Sequence, residues 1–206
     1  MTAWIDFLLT RGASFDGVAV ASFGDPAGEL AAARDAAVVC DLAPLAALRV
    51  TGPDAASFLQ GQVTSDVRAL VPGSLQLSAW CSPKGRVLAN FIVRRIDVER
   101  FELLLPRLLL ESVRKRLVMF VLRSKVAIDD ASGETVRIGI GGRAALQCVD
   151  AAIGPPPALH RSTAIDGGSI VALPGARFIA FVGPAGAPAR WDRFTAARAA
   201  GFPCWR

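Results

Sequence analysis

Amide and hydroxyl side chains crowd one short stretch, Gln60-Gly-Gln-Val-Thr-Ser-Asp66, and a lone amide, Asn90, interrupts an apolar run further on. A carboxamide offers donors and an acceptor together, which is the chemistry needed to read the edge of a planar heterocycle. Gly61 lets the backbone turn or approach a ligand closely. The competing use of these residues is structural, with Thr64 or Ser65 capping a following turn. Asn90 belongs to CSPKGRVLANF, residues 81–91. There Pro83-Lys84-Gly85 predicts a tight turn between two strands. An asparagine buried in a strand must be hydrogen-bonded, so it needs either a structural partner or a ligand.

Other chemistries find little support. The lone histidine, His160, follows a proline-rich linker with no GxSxG or HExxH pattern beside it. The glycines of GIGGR, residues 139–143, lack the full dinucleotide-binding spacing and are accounted for by a turn before a helix. The four cysteines, Cys40, Cys81, Cys148 and Cys204, lie far apart with no CxxC, which argues against a zinc site and a disulfide framework. Cys40, Cys81 and Cys148 read as small buried hydrophobes. No metal site and no catalytic residue is expected.

The elements that must position these residues follow from alternation and turn punctuation. Strands are expected at 17–22 and 37–42 with a helix between them. A strand, LAALRVTG, then leads through Gly52-Pro-Asp54 into the helix AASFLQGQ, because proline is tolerated in the first helical turn and aspartate favours its positive end. Three strand-like runs (75–81, 86–95 and 100–106) read as an antiparallel meander. From Pro106 to Arg123, Leu109, Val113, Leu117 and Phe120 define one apolar helical face; a strand, 125–129, closes the unit. The order is that of an α+β, ferredoxin-like arrangement with helices over one antiparallel sheet. A second such unit starts near Glu134 and runs strand, helix, two strands, helix, with no closing strand of its own. The expected division is 1–132 and 133–206.

The 206 residues are 52% apolar and 20% charged, the composition of a soluble globular protein. The N-terminus has no basic region or cleavage site of a leader, and no apolar run approaches the roughly 18 residues of a membrane span. Hence a cytoplasmic protein with no membrane partner is expected. The net charge of +5 arises in the second half. That bias fits an anionic partner, either nucleic acid or a polyanionic small molecule, and equally fits a solvated arginine-rich surface.

Taken together, VTGPDAASFLQGQVTSDV (50–67), SAWCSPKGRVLANFIVRR (78–95), SKVAIDDAS (124–132) and the Trp191 helix running into Ala200-Gly-Phe-Pro203 resemble the YgfZ-type folate-binding proteins. These are relatives of the T-protein aminomethyltransferase of the glycine cleavage system. The resemblance implies ferredoxin-like units that bind tetrahydrofolate. It also implies a role in maturing or repairing iron-sulfur enzymes, with consequences for tRNA modification. In the transferase, the strand after the turn carries a pair of aspartates, one catalytic. Here Ala89 and Asn90 stand in their places, which disfavours aminomethyl transfer. The family's KGCxxGQE motif and C-terminal barrel have no counterpart before Arg206.

The resemblance makes Gln60, Gln62, Lys84 and Asn90 polar candidates for the pterin edge or the glutamate tail. Trp191 is a candidate stacking platform, and Arg193 or Arg198 a partner for the tail carboxylates. A second platform, aromatic in the family, is replaced by Leu45. The alternatives are a tRNA-associated binding module, carried by the basic helix 106–123, and a degenerate form that folds and binds nothing.

Overall fold

The computed structural model describes residues 2–197 and 204–205. Arg198 and the segment 199–203 lie outside the described residues. In chain order the N-terminal elements are α1 (Thr2–Thr10), β1 (Ser14–Asp16), β2 (Ala19–Ser22), α2 (Pro26–Asp35) and β3 (Ala37–Asp41). The middle of the chain forms β4 (Leu45–Thr51), α3 (Ala55–Gln60), β5 (Ser74–Cys81), β6 (Val87–Arg95), β7 (Arg100–Pro106), α4 (Leu110–Val118) and β8 (Ala127–Asp130). The remainder is β9 (Val136–Gly141), α5 (Ala145–Ile153), β10 (Ser162–Ile165), β11 (Gly168–Leu173), β12 (Arg177–Val182), α6 (Ala187–Ala196) and β13 (Cys204–Trp205).

These elements form two compact units, one of Pro44–Ser132 and one that combines Met1–Ala43 with Gly133–Arg206. The middle unit ends at Ser132. The expected assignment of residues 1–43 to the first unit is corrected. The reason lies in β9, whose residues 136–140 are all buried. A strand covered on both faces is flanked on both edges as well, and β9 pairs with β12 on one side and β3 on the other, with Val38 opposite Gly141 and Asp41 opposite Ile138. The strand missing from the C-terminal sequence is thus supplied from the N-terminus.

In the middle unit, a five-stranded antiparallel sheet has the order β5-β6-β7-β4-β8. Strand alternation sends Ala46, Leu48 and Val50 from β4, Ala89, Phe91 and Val93 from β6, and Phe101, Leu103 and Leu105 from β7 into one core. Two helices cover that face with Ala55, Phe58 and Leu59 of α3 and Leu110, Val113 and Leu117 of α4. A short 3-10 turn, Arg107–Leu109, precedes α4, which ends at Val118. The expected apolar face therefore stops at Leu117. Beyond it the chain tightens into turns, with the Phe120 and Val121 amides donating to Leu117 and Val118 carbonyls, and Phe120 leaves the helical phase to stand half exposed.

The other unit holds a six-stranded sheet of order β10-β11-β12-β9-β3-β13, and a small hairpin of β1 and β2. One core gathers Trp4 and Leu8 of α1, Cys148 and Val149 of α5, and Trp191 and Phe194 of α6 with Val39, Ile138, Ile140, Ile170 and Ala180 of the sheet. Helix α1, strand β10 and the short strands β1 and β13 are not expected from the sequence. Helix α1 is apolar nearly all round, and β10 hides in the stretch expected to be a linker, where Asp166 and Gly167 turn it back on β11. Helix α2 starts as its residues dictate, with Pro26 in the first turn and the Asp25 carboxylate accepting from Gly28 N at 3.0 Å.

Cysteine usage is mixed. Cys40 and Cys81 are free thiols. Cys148 is disulfide-bonded, so the expectation of a free buried thiol there is corrected; bridging depends on spatial approach, which sequence spacing does not reveal. Cys40 lies on the β3–β9 ladder opposite Gly139, whose missing side chain leaves room for the sulfur. Burial, then the neighbouring Asp41 charge, push its pKa from 9.0 up to about 11 against the lowering effect of a backbone hydrogen bond with Gly139.

Two outcomes are expected. An unfolded Cys40 ionises at a lower pH than the folded one, so its contribution to stability is whole below pH 9.0 and lost as pH rises towards about 11. Chemical unfolding of Cys40→Ala against the parent across that window checks it: the variant shows the shallower alkaline loss. Gly52 has φ +127°, and an added Cβ would run into the Lys125 carbonyl. Gly52→Ala is expected to lower unfolding free energy by about 2–4 kcal/mol, read from the urea midpoint.

Candidate functional site

The outer edge of β5 is closed by the polar loop that follows α3. Thr64 N donates to the Ala79 carbonyl at 2.9 Å, and Ala79 N returns a bond to Thr64 Oγ1 at 3.0 Å. Beside this pair, Ser65 N and Oγ both donate to Ser78 Oγ, at 3.2 and 2.7 Å, and Gln76 Nε2 donates to Ser65 Oγ at 2.8 Å. The Asp66 carboxylate accepts from Arg68 N and Ala69 N, and Gln60 Oε1 accepts from Arg68 N at 3.1 Å. Most of the polar cluster thus satisfies an exposed sheet edge and its own turn. The structural use prevails for Thr64, Ser65, Asp66 and the oxygen of Gln60. Gln62 differs: it is half buried, and its amide makes no hydrogen bond among the described residues.

The hairpin is built as its sequence dictates. Gly85 takes φ +76°, its amide donates to Ser82 O at 2.8 Å, and Ser82 N donates to Arg86 O at 2.8 Å. Lys84 is exposed at the tip. Down the ladder, Trp80 pairs with Ala89 and Ala79 with Asn90. Ala89 points into the core at 3% exposed, between the inward rows of Trp80 and Phe91. Asn90 therefore points to the other face, where it is exposed, and the expectation that it is buried is corrected.

By the same alternation, Leu88 and Ile92 flank Asn90 along the strand, and Leu77 and Ala79 lie across from it. Leu77 and Leu88 are both exposed, and the Asn90 amide makes no hydrogen bond among the described residues. Leu45, where the resemblance expects an aromatic, shares this face. It pairs with Pro106, and continuing the β6–β7 register by two places from Ile92 opposite Leu104 sets Pro106 beside Asn90. One row thus crosses the sheet from Leu45 through Pro106 and Asn90 to Ala79. Two strand spacings, about 10 Å, separate Leu45 from Asn90, close to the length of a fused bicyclic heterocycle.

Further along the same face the sheet becomes ionic. Arg94 donates to Glu102 Oε2 at 3.0 Å, and Arg49 lies 3.6 Å from Oε1 of the same carboxylate. Burial lowers the Arg94 pKa to about 10, partly offset by the Glu102 charge. This guanidinium remains a cation at neutral pH.

The remaining candidates lie in the other unit. Trp191 is wholly buried. Its ring packs edge-on to Trp4 at 5.7 Å and tilted against Phe23 at 5.5 Å. Ala187, Arg190, Trp191 and Phe194 share the inward stripe of α6, which makes Trp191 a core residue and corrects its expected use as a stacking platform. Arg193 is exposed on that helix. Gly142, at φ +99°, has the backbone carbonyl of Ala36, the residue after α2, where a side chain would stand, so the GIGGR glycines serve packing and the turn before α5. Among the described residues no cluster of metal-ligating side chains occurs. No described helix is long and apolar enough to cross a membrane.

The element order and the antiparallel sheets define the class of fold. The family model described as "GCVT N-terminal domain" matches residues 12–155, and the chain belongs to that family. It is 34% identical over 135 residues to "tRNA-modifying protein YgfZ" of Klebsiella pneumoniae, covering 63% of this chain and 40% of the relative. Over 74 residues it is 35% identical to an aminomethyltransferase of Bacillus subtilis, covering 36% and 20%. The chain therefore spans well under half the length of these curated relatives. Among solved structures, the glycine cleavage system aminomethyltransferase T of Bartonella henselae superposes with a TM-score of 0.78 at 17% identity, over 98% of this chain and 58% of that one. The likeness shows a shared fold.

The opposite orientations of residues 89 and 90 give a direct test. Ala89→Asp buries an unpaired carboxylate and is expected to cost on the order of 3 kcal/mol or more, whereas Asn90→Asp stays solvated and leaves stability within about 0.5 kcal/mol. Thermal unfolding of the two variants separates them.

Proposed function

We propose that this chain binds a reduced folate, tetrahydrofolate or a close derivative, and holds it without transferring its one-carbon group. The observation that carries this reading is Asn90, an unpaired amide on an open sheet face framed by Leu77, Ala79, Leu88 and Ile92. An aliphatic frame fits the face of a pterin, and a carboxamide fits its alternating donor and acceptor edge. Gln62 of the adjacent loop and the free Nε2 of Gln60 at the end of α3 are further donors, and Lys84 supplies positive charge for the glutamate tail.

Chemistry at the folate nitrogen needs a group that holds or moves a proton. Position 90 carries an amide, which does neither near neutral pH, and position 89 faces the core. The chain's own residues therefore bind and orient the heterocycle and leave its one-carbon unit in place. By kinship with proteins named as tRNA-modifying, we assign the bound state a cytoplasmic role in iron-sulfur protein maintenance that acts on tRNA modification indirectly.

Calorimetric titration of the full chain with tetrahydrofolate, with folinic acid alongside, tests the reading. Saturable heat is expected, weakened about tenfold in Asn90→Ala, the loss of one hydrogen-bonding group, and strengthened in Leu45→Phe, which restores a ring to the same face. A folded chain that gives no heat at high micromolar ligand would sink the proposal.

A further inference from the structure

Where α4 ends, the surface reverses the usual economy of side chains. Met119 is 72% and Leu122 is 87% exposed, with Val118 and Phe120 nearly half exposed beside them. The turn that presents Leu122 is closed by Ser124 N donating to Val121 O at 2.8 Å. Leu122 itself sits at φ +44°, a backbone region that normally falls to glycine or asparagine. A leucine there incurs both the backbone strain and the exposure of its apolar side chain, a combination that marks sites kept for use.

Beside this knob lies an open cleft of about 700 Å³, lined by Asp54 and by Phe120, Val121, Leu122, Arg123 and Ser124. Arg123 lines the cleft, and Lys115, Arg116 and Lys125 lie within four residues of the Met119–Leu122 segment in sequence; none of the four makes an ion pair among the described residues, and Arg116 lies 5.7 Å over the Trp80 ring. One acid, Asp54, lines the cleft, and its carboxylate accepts from Lys125 N at 2.7 Å.

We infer that this knob and cleft form a docking site for a partner protein that offers an apolar side chain ringed by carboxylates. The cation ring sets the sign of the partner and excludes a second copy of this basic surface. The composition, rich in arginine, methionine and an aromatic, is that of protein interface cores. A concave cleft beside a protruding leucine is matched by another folded surface, whereas a bilayer would leave the cleft unfilled. Nucleic acid would gain little from three exposed aliphatic or thioether side chains. The site is independent of the folate reading, and either can fail alone.

The test places a photoreactive benzoyl group on the ring at Phe120 in the full chain, irradiates living cells, and compares adducts with those from the same probe at Val98, an exposed site elsewhere on the middle unit. A dominant protein adduct is expected, its cross-linked peptide net negative around an apolar residue. Its yield falls about tenfold in Leu122→Glu and in Arg123→Glu/Lys125→Glu. Leu122→Gly is expected to lose the adduct while keeping or raising the thermal midpoint, because glycine accepts the turn; that pair of readouts separates docking from folding. An adduct to RNA or lipid, a cross-linked peptide without acidic character, or a yield no greater than from Val98 overturns the inference.

Discussion

The register of β6 is the constraint on which the candidate site depends. A strand alternates its side chains with a period of two, so a slip of one residue would exchange every inward and outward group. In the register observed, Ala89, Phe91 and Val93 fill the core while Asn90 and Arg94 stand on the opposite face. Arg94 guards that register. It lies opposite Glu102 on β7, which also attracts Arg49 from the strand beyond. A slipped strand would drive a guanidinium into an apolar core and abandon Glu102 between mismatched neighbours, at a cost of several kcal/mol. The ionic end of the face thereby holds the uncharged end, with its free amide, in place.

The polar loop after α3 contributes in a different way. An unpaired sheet edge at β5 would leave a row of backbone groups open to another chain. The Thr64–Ala79 exchange and the serine pair at Ser65 and Ser78 close it. Since Ala79 also pairs with Asn90, the loop is stitched one strand away from the candidate amide. Gln62, two residues before Thr64, is thus held near that edge by backbone bonds that are not its own. Residues that look like a binding motif in sequence divide into those that fix the loop and the one amide the loop carries.

Much of this was legible from sequence where local rules decide. Proline and glycine at residues 83–85 define the hairpin, Pro26 and Asp25 start α2, and alternation finds the meander. What escaped depended on distant parts of the chain. Strand β3 reads as an ordinary early strand, and nothing local says that it completes a sheet with β9. Trp191 reads as an available ring until the phase of α6 turns it inward against Trp4 and Phe23. The burial of Asn90 was inferred from its apolar neighbours, but in a strand the neighbours at one residue's distance face the other way; those at two residues share its surroundings. Leu88 and Ile92 were the residues to consult.

Charge on this sheet is therefore placed by two opposing requirements. Where Glu102 needs burial to be effective, it is bracketed by two cations, and burial lowers the Arg94 pKa without discharging it. Where the proposed ligand would sit, the face carries the uncharged amide of Asn90. An aspartate at 90 would put a charge on the end of the face that otherwise carries none. Asparagine keeps the hydrogen-bonding geometry of aspartate and removes both the charge and the proton chemistry. An asparagine at 90 thus offers hydrogen bonds to that face without adding charge to it.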